Sequence, residues 1–411
     1  MISKLPTLHQ HILTYVFFGF FSKGLMIVVL PILSFYITPS GMADVAKFAA
    51  FIAVVTIFCG LNVQGIIGRQ FGKLNIDDFN VFVYNALLVI SVSTVLVLII
   101  IAIFQTALAE LLGIKELYLL LGVIAAGSSS IISINLAIRQ FSKSPRSYGL
   151  FEVFSNILTV SAILILVVGM GLEEDGRIFA QIVSTIFISI TGLRFLIKKE
   201  YIHLSVDFLY LKKMIDFGVS LIPHKLANWI VSGFTLFLIS NYMAPNELGL
   251  YATAVQFSVV LMALFDVVNK AVTPHLFDLL NNKYKKKSFI YFSFINLLFI
   301  GFATLIVAHL SEMLISIFFH IDYANSVKYF IYVFPVSFLY GVSLLYMNYF
   351  VYYEDTKHMS KITFTTSLIY IFTAVFLIES YGTEVVLELL IVSYIVKNIF
   401  MAYRINRELI K

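Results

Sequence analysis

Stretches of apolar residues long enough to cross a bilayer follow one another from end to end of this sequence. They lie at about 11–36, 43–68, 80–107, 116–138, 148–171, 177–196, 214–240, 247–279, 288–316, 325–352, 362–379 and 385–403. A helix needs about 20 residues to span about 30 Å of hydrocarbon, and only helices or closed barrels satisfy their backbone groups there. These runs are too long and too unalternating for barrel strands, which need about 9–11 residues. The chain is 60% hydrophobic and 12% charged, whereas a soluble domain has roughly 45–50% and about 25%. The expected fold class is therefore an all-α integral membrane protein of about 12 transmembrane helices. The first run exceeds a signal-peptide core and lacks a small-residue cleavage site, so it is expected to be the first spanning helix.

Between the runs stand short polar turns such as Thr38-Pro39-Ser40-Gly41, Glu173-Glu174-Asp175-Gly176 and Ala244-Pro245-Asn246-Glu247, whose residues cap helices and turn the chain. Lysine and arginine concentrate in alternate connections: Arg69 and Lys73; Arg139, Lys143 and Arg146; Lys198, Lys199, Lys212 and Lys213; Lys283 and Lys285 to Lys287; Lys357 and Lys361; Arg404, Arg407 and Lys411. The other connections hold only Lys47, Lys115, Arg177 and Lys328 together with most of the loop acids. Basic loops resist translocation, which predicts a multi-pass membrane protein with both termini cytoplasmic. The formal charge of +5 thus reflects topology, and no nucleic-acid partner is expected.

The two halves resemble each other. A shift of about 203 residues lays Asp44 to Ala50 over Glu247 to Thr253 and brings Lys23 within one residue of Lys225. Six helices separate the copies, which predicts two six-helix lobes related by a pseudo-twofold along the membrane normal. The expected division is an N-terminal lobe at 1–197, a basic, amphipathic cytoplasmic linker at 198–213 and a C-terminal lobe at 214–411.

Charges at bilayer depth cost from about 3 to over 10 kcal/mol, so they face a cavity or a partner. Lys23 and Lys225 lie near the middle of the first and seventh runs, too far from either end to snorkel. Together with Lys270 they predict a basic cavity that attracts a diphosphate or an acidic sugar, with His224 and His275 as further donors. A lysine suits this task as a mobile point charge, where arginine would hold an anion in fixed geometry. The competing structural reading is that each lysine is neutralised by a buried acid or carbonyl. Asp266, four residues before Lys270 on one helix face, is a candidate ion-pair or coupling residue. Pro223 and Pro31 remove helical N–H groups and are candidate hinges.

Enzyme signatures are missing. No metal-spaced cluster, phosphate-binding glycine loop or catalytic acidic pair is evident, so no cofactor, metal site or catalytic residue is expected.

The stretches Phe217-Gly218-Val219-Ser220-Leu221-Ile222-Pro223-His224-Lys225-Leu226, Glu247-Leu248-Gly249-Leu250-Tyr251-Ala252-Thr253-Ala254 and Asn269-Lys270-Ala271-Val272-Thr273-Pro274-His275-Leu276 resemble the polysaccharide flippases, the Wzx-type O-antigen and capsule flippases. That family belongs to the multidrug, oligosaccharidyl-lipid and polysaccharide exporter superfamily. The resemblance implies a flippase that moves undecaprenyl-diphosphate-linked oligosaccharide repeat units from the cytoplasmic to the periplasmic leaflet by alternating access. The implied partners are the lipid-linked oligosaccharide and the bilayer, with a polysaccharide polymerase and chain-length regulator beside a monomeric flippase. In related lipid II flippases, cations on the first, second and eighth helices serve the diphosphate. Lys23 and Lys270 match the first and eighth, whereas the second helix offers only Lys47 and Gln64 near its ends, leaving Lys225 as the third cation. Rival readings are a multidrug or cation antiporter of the same superfamily, which would be expected to place acids where this chain has lysines, and a membrane-embedded polymerase or transferase, which would need larger outward loops.

Overall fold

The computed structural model of this chain describes residues 18, 21, 24, 25, 27–142, 144–280, 285–353 and 355–410, with helices and no strand among them. Helix α1 covers 27–34. It is followed by α2 (Pro39–Gly60), α3 (Val63–Gln70), α4 (Ile76–Ile103), α5 (Gln105–Leu112), α6 (Glu116–Phe141), α7 (Pro145–Ile163) and α8 (Glu173–Lys198). Then come α9 (Phe208–Trp229), α10 (Thr235–Ser240), α11 (Pro245–Leu280), α12 (Lys285–Phe318), α13 (Phe330–Tyr352) and α14 (Thr356–Ile410). Among the described residues nine helical stretches are long and apolar enough to cross a membrane. One of them contains Gly382, whose φ of 79° and ψ of −169° no other residue type adopts readily. The single long α14 is therefore the two expected runs, 362–379 and 385–403, joined end to end.

Several other runs are interrupted inside the membrane-length stretch, among them 80–107 between α4 and α5 and 148–171 at a π-helical turn over Leu164–Gly169. The 43–68 run divides into α2 and α3 at Leu61 and Asn62, both left-handed with φ of 40° and 50°. The 214–240 run is helical straight through Pro223 and widens into a π-helical turn only at Ile230–Phe234. Such wide turns are rare and frequently mark functional positions.

Surface and core separate as lipid demands. On α4, Val92, Val95, Leu96, Ile99, Ile100 and Ile103 are exposed at three- and four-residue spacing, while Phe82, Val83, Ala86, Val89 and Ile90 are buried. An exposed apolar stripe of this length is not stable against water, and it is ordinary against acyl chains.

Grouped by packing, the described chain forms two compact units: Asp44–Phe237 with the residues up to Leu25, and Met26–Ala43 with Leu238–Lys411. Residues 198–213, the linker of the sequence reading, lie inside the first unit. Their path is fixed by Asn85, fully buried on α4. Its amide donates to the Ser205 carbonyl at 2.9 Å, and its oxygen accepts from the Asp207 N–H at 3.0 Å. Asp207 in turn caps α9 by accepting from the N–H groups of Leu209 and Tyr210, which satisfies donors that the helix itself leaves free.

In the second unit Asp355, between α13 and α14, accepts from Arg404 at 3.2 and 3.3 Å and meets His358 Nδ1 at 2.5 Å. Burial works against this carboxylate, but His358 and Arg404 outweigh it and hold its pKa below the ordinary carboxylate value. A depressed carboxylate stabilises the fold above its unfolded pKa of about 3.9, and that contribution fades as pH falls through the folded value. Acidification from pH 6 to pH 3 is therefore expected to lower the thermal midpoint of the wild type more than that of Asp355→Asn, by the equivalent of about 1 kcal/mol. Parallel thermal scans of the two proteins in detergent measure the difference.

Candidate functional site: a polar cavity carrying Lys225

The first unit contains a cavity of about 310 Å³. Its walls come from α2, α3, α6 and α9, and two contacts set how α9 runs against α2. Gly218 of α9 lies against the Leu61 backbone, so close that a Cβ there would collide with the Leu61 carbonyl. Trp229 Nε1, at the end of α9, donates to the Ala50 carbonyl of α2 at 2.8 Å. The contacts are separated by the same number of residues on each helix, so the two helices run antiparallel for about 16 Å.

Each wall shows one helical face. From α2 come Ala53, Thr56, Ile57 and Gly60, and beyond the break Asn62 and Gln64. Helix α6 adds Ser130 and Ser133. From α9 and its wide turn come Gly218, Leu221, Ile222, Lys225, Asn228, Trp229 and Ser232, a three- and four-residue spacing that puts all of them on one side.

Donors and acceptors sort themselves along these walls. The hydroxyls of Thr56, Ser130, Ser133 and Ser232 donate back to the carbonyls of Ile52, Ala126, Ser129 and Asn228 at 2.7, 3.1, 3.0 and 3.2 Å. A hydroxyl that has spent its proton offers only oxygen lone pairs to a guest. The cavity's donors are thus the Lys225 ammonium and the amides of Asn62, Gln64 and Asn228, with Gln64 Nε2 bridging to Asn62 Oδ1 at 2.9 Å. Among the described residues no carboxylate lines the cavity and Lys225 enters no ion pair. A full charge in the middle of an apolar run, with no counter-charge among the described residues, calls for water or an anion beside it.

The remaining sequence candidates are distributed as follows. Lys23 lies outside the described residues, and the side chains of Lys270 and His275 do too. His224 is not among the lining residues; its Nδ1 is buried without a hydrogen-bond partner among the described residues, and its Nε2 stands 3.5 Å from the Asn228 amide. Pro31 sits in the helical backbone of α1, where its carbonyl accepts from Ser34 Oγ at 2.7 Å. Asp266 accepts from the Tyr340 hydroxyl at 2.8 Å in the second unit. One turn along, Asn269 and Asn348 exchange amide bonds and Thr273 joins them at 3.3 Å. Two residues that sequence reasoning did not select also stand out. Trp229 shares the Lys225 face, a placement the i, i+4 spacing already carried. Lys397, inside the last apolar run, sits with its ammonium 3.8 Å from the centroid of the Tyr394 ring.

The structure is similar to solved transporters of the multidrug/oligosaccharidyl-lipid/polysaccharide (MOP) superfamily. It superimposes on an inward-facing multidrug resistance MATE family transporter with a TM-score of 0.74, at 15% identity over 97% of this chain and 95% of that one. A MOP superfamily transporter from Pyrococcus furiosus gives a TM-score of 0.69 at 13% identity, covering 96% and 95%. In sequence, an uncharacterized membrane protein of Haemophilus influenzae is 26% identical over 373 residues, 85% of each chain. A protein of the Lsg locus of the same organism is 23% identical over 363 residues, 85% of this chain and 86% of the other. The model of one family, described as polysaccharide biosynthesis protein, matches residues 8–280, about two-thirds of a chain that carries the MOP transporter fold throughout. This multi-pass membrane protein therefore belongs to the polysaccharide biosynthesis protein family.

Proposed function

We propose that this protein is a flippase that carries undecaprenyl-diphosphate-linked oligosaccharide from the cytoplasmic to the periplasmic leaflet of a bacterial inner membrane by alternating access. The observation that carries the reading is Lys225, a cation with no counter-charge among the described residues, in a polar cavity whose described lining holds no carboxylate. A diphosphate brings the missing negative charge, and the amide and hydroxyl walls suit the hydroxyls of a sugar. The membership in a polysaccharide biosynthesis family agrees with the saccharide half of that substrate. If the basic loops are cytoplasmic, the connection before α9 is cytoplasmic, and the Asn62–Gly218 end of the cavity receives the headgroup first.

The test is reconstitution. Protein in liposomes with a fluorescent, short-prenyl diphosphate-linked oligosaccharide in both leaflets should expose the inner-leaflet probe to an external reductant far faster than protein-free liposomes do. A fluorescent phosphatidylcholine in parallel vesicles should stay protected. Equal bleaching with and without protein, or equal movement of both lipids, overturns the proposal.

A further inference from the structure

Resting on the flippase reading, we propose that Trp229 is the platform on which the first sugar of the lipid-linked saccharide stacks, beside a diphosphate held at Lys225. Trp229 is the only tryptophan in the chain, and it lines the cavity one turn beyond Lys225. One helical turn places the two side chains about 6 Å apart along the axis. In a glycosyl diphosphate the sugar ring is joined directly to a phosphate oxygen, so a phosphate at Lys225 brings that ring to the next turn of α9.

The indole is prepared as a surface. Its N–H is committed to the Ala50 carbonyl at 2.8 Å, so it has no polar group left for a guest and offers its ring. Phe234 and Phe237 brace it at centroid distances of 6.1 and 6.4 Å. Gly233 is required beneath it, because a Cβ there would run into the indole nitrogen. An aromatic side chain so constrained loses little entropy when it accepts a ligand. A pyranose has an apolar face of C–H bonds that suits such a ring and equatorial hydroxyls at its rim. Asn228 and Ser232 stand beside Trp229 on the same wall: the amide supplies a donor and an acceptor, and the Ser232 oxygen, its proton used on Asn228, accepts from a sugar hydroxyl. The cavity is thus divided along α9 into an anion position and a sugar position.

A lone tryptophan makes its own fluorescence the reporter. Purified full-length protein in lipid nanodiscs would be titrated with geranyl diphosphate and with geranyl diphosphate bearing glucose, galactose or N-acetylglucosamine. At least one sugar-bearing probe should change the tryptophan emission and bind about five- to tenfold more tightly than bare geranyl diphosphate. Radiolabelled versions would then be measured on Trp229→Ala and Trp229→Phe. Trp229→Ala should bind bare and sugar-bearing probes equally, and Trp229→Phe, which keeps a ring should the alanine variant not fold, should retain part of the preference. If wild type binds bare geranyl diphosphate but prefers no sugar-bearing probe, or if a folded Trp229→Ala keeps the preference, this inference fails and the flippase reading stands. If folded wild type binds none of the probes, both fail.

Discussion

Replacing Lys225 with alanine is expected to abolish surface polysaccharide in cells that depend on this protein, and to slow headgroup transfer in liposomes by about ten- to a hundredfold. The loss is that of one charge-assisted contact, worth about 1.5–3 kcal/mol at 1.4 kcal/mol per tenfold. The cavity walls offer neutral amides at Asn62, Gln64 and Asn228, and these cannot replace the lost charge. Lys225→Glu should be worse, since a carboxylate would repel the diphosphate across the same space. Lys225→Arg should recover part of the rate, because it restores charge while fixing the anion in a more rigid geometry. None of the three should reduce the amount of folded protein. Lys225 is exposed, so its loss opens no void in the core. Full polymer production by Lys225→Ala at wild-type protein level would remove the ammonium from the transport route.

What was legible in the sequence follows from which forces are local. Hydrophobic length is local to a segment, and the apolar runs from 43 onward reappear as helical stretches, some split or joined, while most of the 11–36 run lies outside the described residues. The bend in α14 falls at Gly382, in the gap between the expected runs 362–379 and 385–403, where a glycine takes the φ of 79°. Lys225 stood out because a cation in the middle of an apolar run has few tolerable surroundings. The breaks that shape the cavity were not legible. Proline at 223 suggested a hinge, yet the helix continues through it, and the wide turn comes at Ile230–Phe234, where Trp229 folds over Gly233. Asn62 is a residue type that tolerates a left-handed backbone, whereas Leu61 beside it does not favour one. Their conformation accompanies the approach of Gly218 to the Leu61 carbonyl, a contact between residues more than 150 positions apart in the chain. The same holds for Trp229, whose partner Ala50 lies on another helix. Sequence spacing put it on the face of Lys225, while its role as a wall depended on where α2 runs.

The largest stability effect is expected at Gly249, in the first turns of α11. A Cβ there would overlap the carbonyl of Pro39 at the start of α2, and that carbonyl cannot yield easily because the chain leading into it is held. The Tyr323 hydroxyl, fully buried, donates to the Ile37 carbonyl at 2.7 Å. Ser34 Oγ accepts from the His320 N–H at 2.9 Å. Leu248 and Leu250, flanking the glycine, are buried and tie α11 in place. Relief would require moving α11 or breaking one of these bonds, and overpacking of this kind costs about 3 kcal/mol or more where backbone must shift. Gly301 on α12 provides the contrast, since a Cβ there would meet only Phe338 at an ordinary 3.6 Å. Replacing a helical glycine with alanine removes backbone freedom from the unfolded chain and adds about 0.5–1 kcal/mol where there is room. Gly249→Ala should therefore yield aggregated or poorly recovered protein on size-exclusion chromatography in detergent, whereas Gly301→Ala should elute as wild type with an equal or higher melting temperature. A Gly249→Ala protein as stable as wild type would mean that α11 does not pack on the Pro39 turn as described.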